Sequence, residues 1–335
     1  MEIIIFDRSD LCVVCGKPAT AICSRCKAVP YCHEDCQRSD WKRRHKLMCG
    51  KEKSSSSTVS PTIKTADQSP SCAPSRGLTC SPGDPAPIDV ILTGTRSVDI
   101  AQRVVDVLKN RGVCVLKAGA EKAFQRALWV ESKLLWDTEG FMEAKKGQPV
   151  SKGSTEVTFS PRDDKVVWMS KAFLTENEKK TKALKVLDGQ LTDFGMGLAK
   201  MLEEQLGLTI SNRTPGMLAC YAGDVVDGPR YDYHMDNPYQ TQMGTPDDKR
   251  RLTLVYYIND GPWNVRTDGG ALQVALSNPR RPPKTTSEAL RYEKLTVAPE
   301  SDTLVCFFSH TMYHAVLPVL SKRKRFAMST WFNTV

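Results

Sequence analysis

Residues 217–238 read MLACYAGDVVDGPRYDYHMDNP, and the alternation in this stretch decides the fold. Small and apolar residues run from Gly216 to Tyr221. A turn rich in Gly and Asp follows, Arg230–Met235 alternates again, and Asn237-Pro238 ends the pattern. Two short strands joined by turn chemistry are predicted here. Working outward, the same signature recurs at Arg251–Asn259, Gly270–Ala275, Leu295–Ala298, Thr303–Phe308, His314–Val319 and Phe326–Phe332. Eight such strands separated by Gly, Pro, Asn and Asp predict a closed or sandwich β-domain. Helical periodicity comes before them, over Val98–Leu108 with a stop at Asn110-Arg111-Gly112, over Ala120–Trp136, and over Glu178–Gly207. Short strands at Val113–Leu116, Thr155–Thr158 and Lys165–Met169 complete the pattern. Helices that precede strands, rather than alternate with them, exclude a Rossmann-type sheet.

Within the deciding stretch, His234 and Asp236 stand at i and i+2. Such residues share one face of a strand and can grip one ion together. A third ligand from a distant strand, His314, makes a 2-His-1-carboxylate triad. That triad leaves positions open on iron, as non-haem Fe(II) oxygenases require. HxD alone is common on protein surfaces; what gives it chemistry is His314 at the head of HAVLPV and Arg325 on the next strand, where a guanidinium can pair with a carboxylate. His310, in the turn after Thr303–Phe308, competes with His314 as the distal ligand.

The front of the chain reads differently. Of 335 residues, 40% are hydrophobic and 25% charged, which leaves room for two domains. No apolar run approaches a membrane span, and the N-terminus lacks the basic start and long apolar stretch of a secretory signal. A cytoplasmic or nuclear setting is therefore expected, where thiols stay reduced and clustered cysteines bind metal. Seven of the twelve cysteines fall between Cys12 and Cys49. Cys12, Cys15, Cys23, Cys26, Cys32, Cys36, His45 and Cys49 give CxxC, CxxC, CxxxC and HxxxC, enough ligands for two tetrahedral zinc ions. So small a segment cannot build a sufficient core, and the metals supply most of its folding free energy. Residues 51–87, rich in Ser and Pro, have almost no large apolar side chains and read as a disordered linker, with Cys72 and Cys80 as bystanders. The predicted domains are thus 1–50, 51–87 and 88–335. The net charge of 47 − 38 = +9 is spread along the chain. It points to an anionic partner without requiring nucleic acid.

Residues 12–49 resemble the MYND finger, in CxxC, CxxC, Tyr31-Cys32 through Cys36-Gln37, then Trp41, His45 and Cys49. The resemblance implies interleaved zinc sites, one on Cys12, Cys15, Cys32 and Cys36, the other on Cys23, Cys26, His45 and Cys49. His33 is then a surface residue. Proline-containing peptides are the implied ligands of the finger.

The later motifs, MLACYAGDVVDGPRYDYHMDNP, LVYYIND, GGAL, HAVLPV and RFAMSTWF, resemble the prolyl hydroxylases of hypoxia-inducible factor. The resemblance is close over 216–332 and extends plausibly to residue 88. It implies an α+β fold, a double-stranded β-helix (jelly roll) backed by helices. It implies Fe(II) on His234, Asp236 and His314, with 2-oxoglutarate and O₂ as co-substrates and ascorbate as a helper. Arg325 and Tyr257 would hold the distal carboxylate of 2-oxoglutarate, with Leu272, Val255 and Trp331 as an apolar wall, Ser329 supplying a hydroxyl, and Tyr221 near the iron at the mouth. Asp164 and Trp168, in RDDKVVW, resemble part of the family's substrate loop; a solvated turn is the competing reading. The implied substrate is a proline in a hypoxia-inducible factor α segment, hydroxylated at C4. Another protein's proline, or a MYND adaptor with a non-catalytic oxygenase fold, are the alternatives.

The chain departs from the family in three places. His314 to Arg325 is two residues longer than usual, so Arg323 competes as carboxylate partner; the register of RFAMSTWF favours Arg325 and places Arg323 before the strand, in solvent. Extra residues around 241–248 and 282–287 are expected to lengthen loops rather than break the barrel. The sequence stops at Val335, where the family continues into a helix beside the substrate, so one wall of that groove is expected to be missing.

Overall fold

The computed structural model describes residues 20–25, 30–41, 86–92, 97–138, 140–144, 162–223, 228–239 and 245–335. They fall into two compact units, one within residues 7–79 and the other carrying everything from Ala86 onward. The predicted strand at 155–158 lies outside the described residues, as does the 51–87 linker apart from Ala86 and Pro87.

In the N-terminal unit, β1 (Ala21–Ile22) pairs antiparallel with β2 (Pro30–Tyr31), and α1 (Glu34–Asp40) follows. His33 caps that helix, its Nδ1 accepting from the Cys36 amide at 3.3 Å. Cys23, Tyr31 and Cys36 are buried together.

The larger unit begins with β3 (Val90–Ile91), α2 (Ser97–Arg111), β4 (Val113–Lys117), α3 (Lys122–Asp137), β5 (Met142–Glu143), β6 (Lys165–Trp168), α4 (Lys171–Glu176) and α5 (Lys182–Leu206). The single helix predicted over 178–207 is therefore divided. A turn of 3₁₀ helix at Glu178–Lys180 precedes α5, whose first amides, on Ala183 and Leu184, are capped by the Glu131 carboxylate at 2.9 Å each. That side-chain cap from α3 fixes where α5 starts. It ends on Gly207 in the left-handed conformation.

An unpredicted short strand, β7 (Asn212–Arg213), precedes the eight predicted ones: β8 (Met217–Ala222), β9 (Tyr231–His234), β10 (Arg250–Tyr257), β11 (Leu272–Ala275), β12 (Lys294–Val297), β13 (Thr303–Phe308), β14 (His314–Val316) and β15 (Lys324–Asn333); a short helix, α6 (Thr286–Ala289), starts within the 282–287 insertion where only a longer loop was expected. A major sheet runs β3-β4-β13-β10-β15-β8-β6-β5, with β7 also on β15; a minor sheet runs β12-β11-β14-β9.

Alternation assigns each face of the major sheet. Leu218, Cys220, Leu252, Leu254, Phe326, Met328 and Phe332 join the core that α2, α3 and α5 cover. Most odd-numbered neighbours on β8, β10 and β15, among them Tyr221, Thr253, Val255, Arg325, Ser329 and Trp331, face the other way, onto the cavity between the sheets. Helix and sheet meet closely where Gly195 of α5 lies over Phe332: a Cβ there would stand 2.1 Å from the ring. Gly in a helix interior costs about 0.5–1 kcal/mol relative to Ala, so propensity alone favours replacement. Overpacking a filled core costs more, about 1–3 kcal/mol. Gly195→Ala should therefore lower stability by about 1–2 kcal/mol, read as a lower urea midpoint. An unchanged or higher midpoint would contradict this packing.

Candidate active site

A cavity of about 150 Å³ opens between the two sheets. Minor-sheet residues supply its titratable cluster. His234 ends β9 and His314 begins β14, and the two are direct cross-strand partners with ring centroids 4.2 Å apart. Asp236 follows on the His234 side, its Oδ1 3.7 Å from each histidine's Nε2. The three donor atoms lie within 4.8 Å of one another.

Each ring is aimed from behind. His234 Nδ1 lies 2.8 Å from the Asp232 carbonyl and His314 Nδ1 3.1 Å from that of Met312. A carbonyl oxygen only accepts, so Nδ1 carries the proton and the Nε2 lone pair is turned toward Asp236. Burial, then the neighbouring His234, push the His314 ring down to about 4, so it is neutral near pH 7. Burial would raise Asp236, but His314 and His234 outweigh it and hold the carboxyl below the usual range. Two imidazoles and one carboxylate, converging with their donor atoms inward, fit a divalent iron ion. His310 does not join them. It packs near Tyr239 and Phe308 instead, and burial, then Arg251, push it down to about 4.

The other end of the cavity belongs to the major sheet. Arg325 is 2% exposed. Its Nε donates to the Gly270 carbonyl at 2.6 Å, and its guanidinium lies 5.2 Å from the Tyr221 ring and 5.0 Å from the Tyr257 ring. Among the described residues no carboxylate pairs with it. Gly270, at φ 67°, lets the backbone approach: a Cβ would meet Arg325 Cδ at 3.0 Å. A buried guanidinium with no acid beside it fits an anionic ligand that enters the cavity. Arg323 is differently placed, and not in open solvent as its position before the strand suggested. It pairs with Asp268 at 2.9 Å, donates to the carbonyls of Pro262 and Asp260, and lies over Trp263. It clamps the turn before β11.

Val255, Leu272, Ser329 and Trp331 line the cavity. Two expected roles change. Trp331 is more than apolar wall, for its Nε1 donates to Asp236 Oδ2 at 2.9 Å. Tyr221 is buried beside Arg325 rather than at the mouth. Tyr257 stands against Arg325 without lining the cavity, and its buried hydroxyl, beside the guanidinium, finds no acceptor for its own proton among the described residues. Asp164 and Trp168 reach the same cavity; Asp164 is 1% exposed and holds Arg162 through two bonds of 2.6 and 2.9 Å, which excludes a solvated turn.

Sequence reading missed Thr253, Arg162, Tyr231 and Arg250. Thr253 donates to Asp236 Oδ2 at 2.7 Å. Tyr231 stacks on His234 with centroids 3.6 Å apart, and the Arg162 guanidinium lies over the Tyr231 ring at 5.0 Å. Thr253 carried a signal, a hydroxyl at an inward position of an apolar strand. Tyr231 carried none, because i and i+3 face opposite ways in a regular strand. A register shift between His314 and Val316 brings it to the His234 side.

Of the eight finger ligands, Cys23, Cys32 and Cys36 are described; Cys12, Cys15, Cys26, His45 and Cys49 lie outside the described residues. Cys32 and Cys36 Sγ atoms are 3.7 Å apart, close to the ~3.8 Å that two thiolates at ~2.3 Å on a tetrahedral zinc require. His33 is exposed, yet its ring also lies within ligand range of these two thiols.

Comparison with known proteins bears on both units. Residues 216–333 match the 2OG-Fe(II) oxygenase superfamily, and residues 12–49 match the MYND finger. Egl nine homolog 1 of Homo sapiens is 23% identical over 409 residues, covering 96% of this chain and 87% of the relative. Ubiquitin carboxyl-terminal hydrolase 19 of Arabidopsis thaliana is 63% identical over 38 residues, 11% of this chain and 6% of that protein. Among solved structures, a Trichoplax adhaerens prolyl hydroxylase in complex with a hypoxia inducible factor oxygen degradation domain peptide fragment has a TM-score of 0.52 at 24% identity, covering 70% of this chain and 89% of that one. A Pseudomonas putida prolyl-4-hydroxylase has a TM-score of 0.50 at 21% identity, covering 70% and 99%. The jelly roll backed by helices is thus the fold of this group. The oxygenase match implies Fe(II), 2-oxoglutarate and O₂ at the cavity just described, and the finger match implies zinc. Residues 216–333 thus carry a 2OG-Fe(II) oxygenase match and residues 12–49 a MYND finger match, in a chain similar along most of its length to Egl nine homolog 1.

Proposed function

We propose that this oxygenase is an oxygen-sensing prolyl 4-hydroxylase acting on an extended peptide of a hypoxia-inducible factor α chain. The observation that carries the reading is Arg325: a buried guanidinium without an acid, in the same cavity as His234, Asp236 and His314. A dicarboxylate anchored at one end on Arg325 has its other end free to reach the histidines. Full-length similarity to Egl nine homolog 1, and a neighbour of the same fold solved with a hypoxia inducible factor peptide, support the choice of substrate. Such an enzyme would work in the cytosol or nucleus, with the finger docking proline-containing peptides.

His234, Asp236 and His314 would hold Fe(II), which with 2-oxoglutarate and O₂ supplies the oxidant for an unactivated C–H bond. The protein's own part is placement. Arg325 neutralises the distal carboxylate, with the Tyr257 hydroxyl beside it to donate. Val255 and Leu272 keep water from the co-substrate's methylenes. Trp168 and Trp331, 5.9 Å apart at the cavity, offer flat faces to a proline ring.

The full chain, incubated with Fe(II), 2-oxoglutarate, O₂ and peptides bearing Leu-x-x-Leu-Ala-Pro, should add one oxygen to the proline, as read by mass spectrometry. Asp236→Ala should abolish this while the fold persists. Succinate formation with no oxidised proline in any peptide would overturn the substrate reading and leave the oxygenase standing. Arg325→Ala should raise the 2-oxoglutarate KM by roughly two to three orders of magnitude. Removing one member of a buried charged pair costs on the order of 3–5 kcal/mol, at about 1.4 kcal/mol per tenfold. Arg323→Ala should leave that KM within a few fold, since its bonds go to the turn before β11. The opposite ranking would place the carboxylate on Arg323.

A further inference from the structure

We propose that Thr253 and Trp331 are positioning residues that fix the second oxygen of the Asp236 carboxylate, and that Trp331 transmits events at the cavity rim to it. The proposal rests on the metal site read above. The two oxygens of Asp236 have different surroundings. Oδ1 faces both histidines at 3.7 Å. Oδ2 accepts from Thr253 Oγ1 at 2.7 Å and from Trp331 Nε1 at 2.9 Å. A carboxylate held this way offers a metal one oxygen, which leaves more of the metal's positions for co-substrate and O₂. The proton directions follow. An ionised carboxylate only accepts, so the Thr253 hydrogen points at Asp236, and Ser309 Oγ, 2.8 Å away, donates to Thr253. Thr253 and Trp331 are direct partners across β10 and β15, so the sheet sets the spacing of the two donors.

Trp331 also faces the rim. The Arg250 guanidinium lies 4.7 Å from its ring centroid, and Trp168 lies 5.9 Å away on the same rim. A cation over an indole draws charge from the ring and makes its N–H a stronger donor. A peptide that engages Arg250 or Trp168 therefore alters the bond that Asp236 receives. By linkage, occupancy of the rim and of the metal site are coupled in both directions.

Mn(II) binding by the full chain, measured calorimetrically without turnover, tests this. Losing an outer partner of a metal ligand typically costs 10–100-fold in metal affinity, so Trp331→Phe, which keeps a ring and loses the N–H, should weaken Mn(II) roughly tenfold or more. The unfolding midpoint of the metal-free protein should not move. Thr253→Ser should bind Mn(II) like the parent and Thr253→Val should not, a comparison that stands even if the tryptophan variant fails to fold. Arg250→Met should weaken Mn(II) roughly two- to fivefold in the parent and have a clearly smaller effect in the Trp331→Phe background, where only the direct charge of Arg250 on Asp236 remains. An affinity within twofold of the parent for both Trp331→Phe and Thr253→Val overturns the positioning role. An equal Arg250→Met effect in both backgrounds would mean its charge acts through space, and overturns the transmission. Asp236→Ala separates the underlying reading: if it binds Mn(II) like the parent, the metal site itself is elsewhere.

Discussion

The register of β15 is the constraint on which the rest of the site depends. This strand lies between β10 and β8 at the centre of the major sheet, and its alternate residues serve two environments. Phe326, Met328 and Phe332 fill the core beneath the helices, while Arg325, Ser329 and Trp331 face the cavity. A slip of one residue would put the guanidinium into the helix-covered core and the phenylalanines into the cavity. Both outcomes are costly, the first because a charge would be buried without a partner. The apolar face therefore fixes the polar one. At Gly195 beside Phe332, Gly216 beside Met328 and Gly270 beside Arg325, the backbone approaches a β15 side chain too closely for a Cβ to fit freely.

The minor sheet contributes the complementary half. Its cross-strand pair, His234 opposite His314, sets the spacing of the two imidazoles before any ion binds, and backbone carbonyls fix their tautomers. Asp236 is then tied back to the major sheet by Thr253 and Trp331. The cluster is thus held from both sheets. Three arginines reach the cavity, and their partners differ. Arg162 is neutralised by Asp164 and Arg250 by Asp248 at 3.3 Å, leaving Arg325 as the one without an acid among the described residues. An incoming dianion finds its strongest attraction at the inner end.

Much of this was legible in the sequence, for reasons that can be named. Period-two alternation located the strands within a few residues, since one face of nearly every strand is apolar. HxD was readable because i and i+2 share a face. Arg325 was separable from Arg323 because RFAMSTWF alternates cleanly and its register carries back to residue 325. What was not legible came from contacts between strands. The stack of Tyr231 on His234 needs an irregular register opposite His314 and Val316, which leaves no mark in spacing. The indole N–H of Trp331 on Asp236 joins residues 95 apart in the chain, and a tryptophan on an inward face reads equally as wall. Arg323 read as solvent-exposed because its partners, Pro262, Asp260 and Asp268, belong to a turn distant in sequence.

The proposed function requires one dicarboxylate to span the cavity from Arg325 to an ion on His234, Asp236 and His314. A crystal structure of the full chain with Mn(II) and a non-reacting 2-oxoglutarate analogue tests it most directly, with anomalous scattering to locate the metal. The account predicts a metal peak among those three side chains and the analogue's distal carboxylate on the Arg325 guanidinium, within reach of the Tyr257 hydroxyl. A metal peak elsewhere in the oxygenase domain, or a distal carboxylate bound at Arg323 or Arg162, would contradict it.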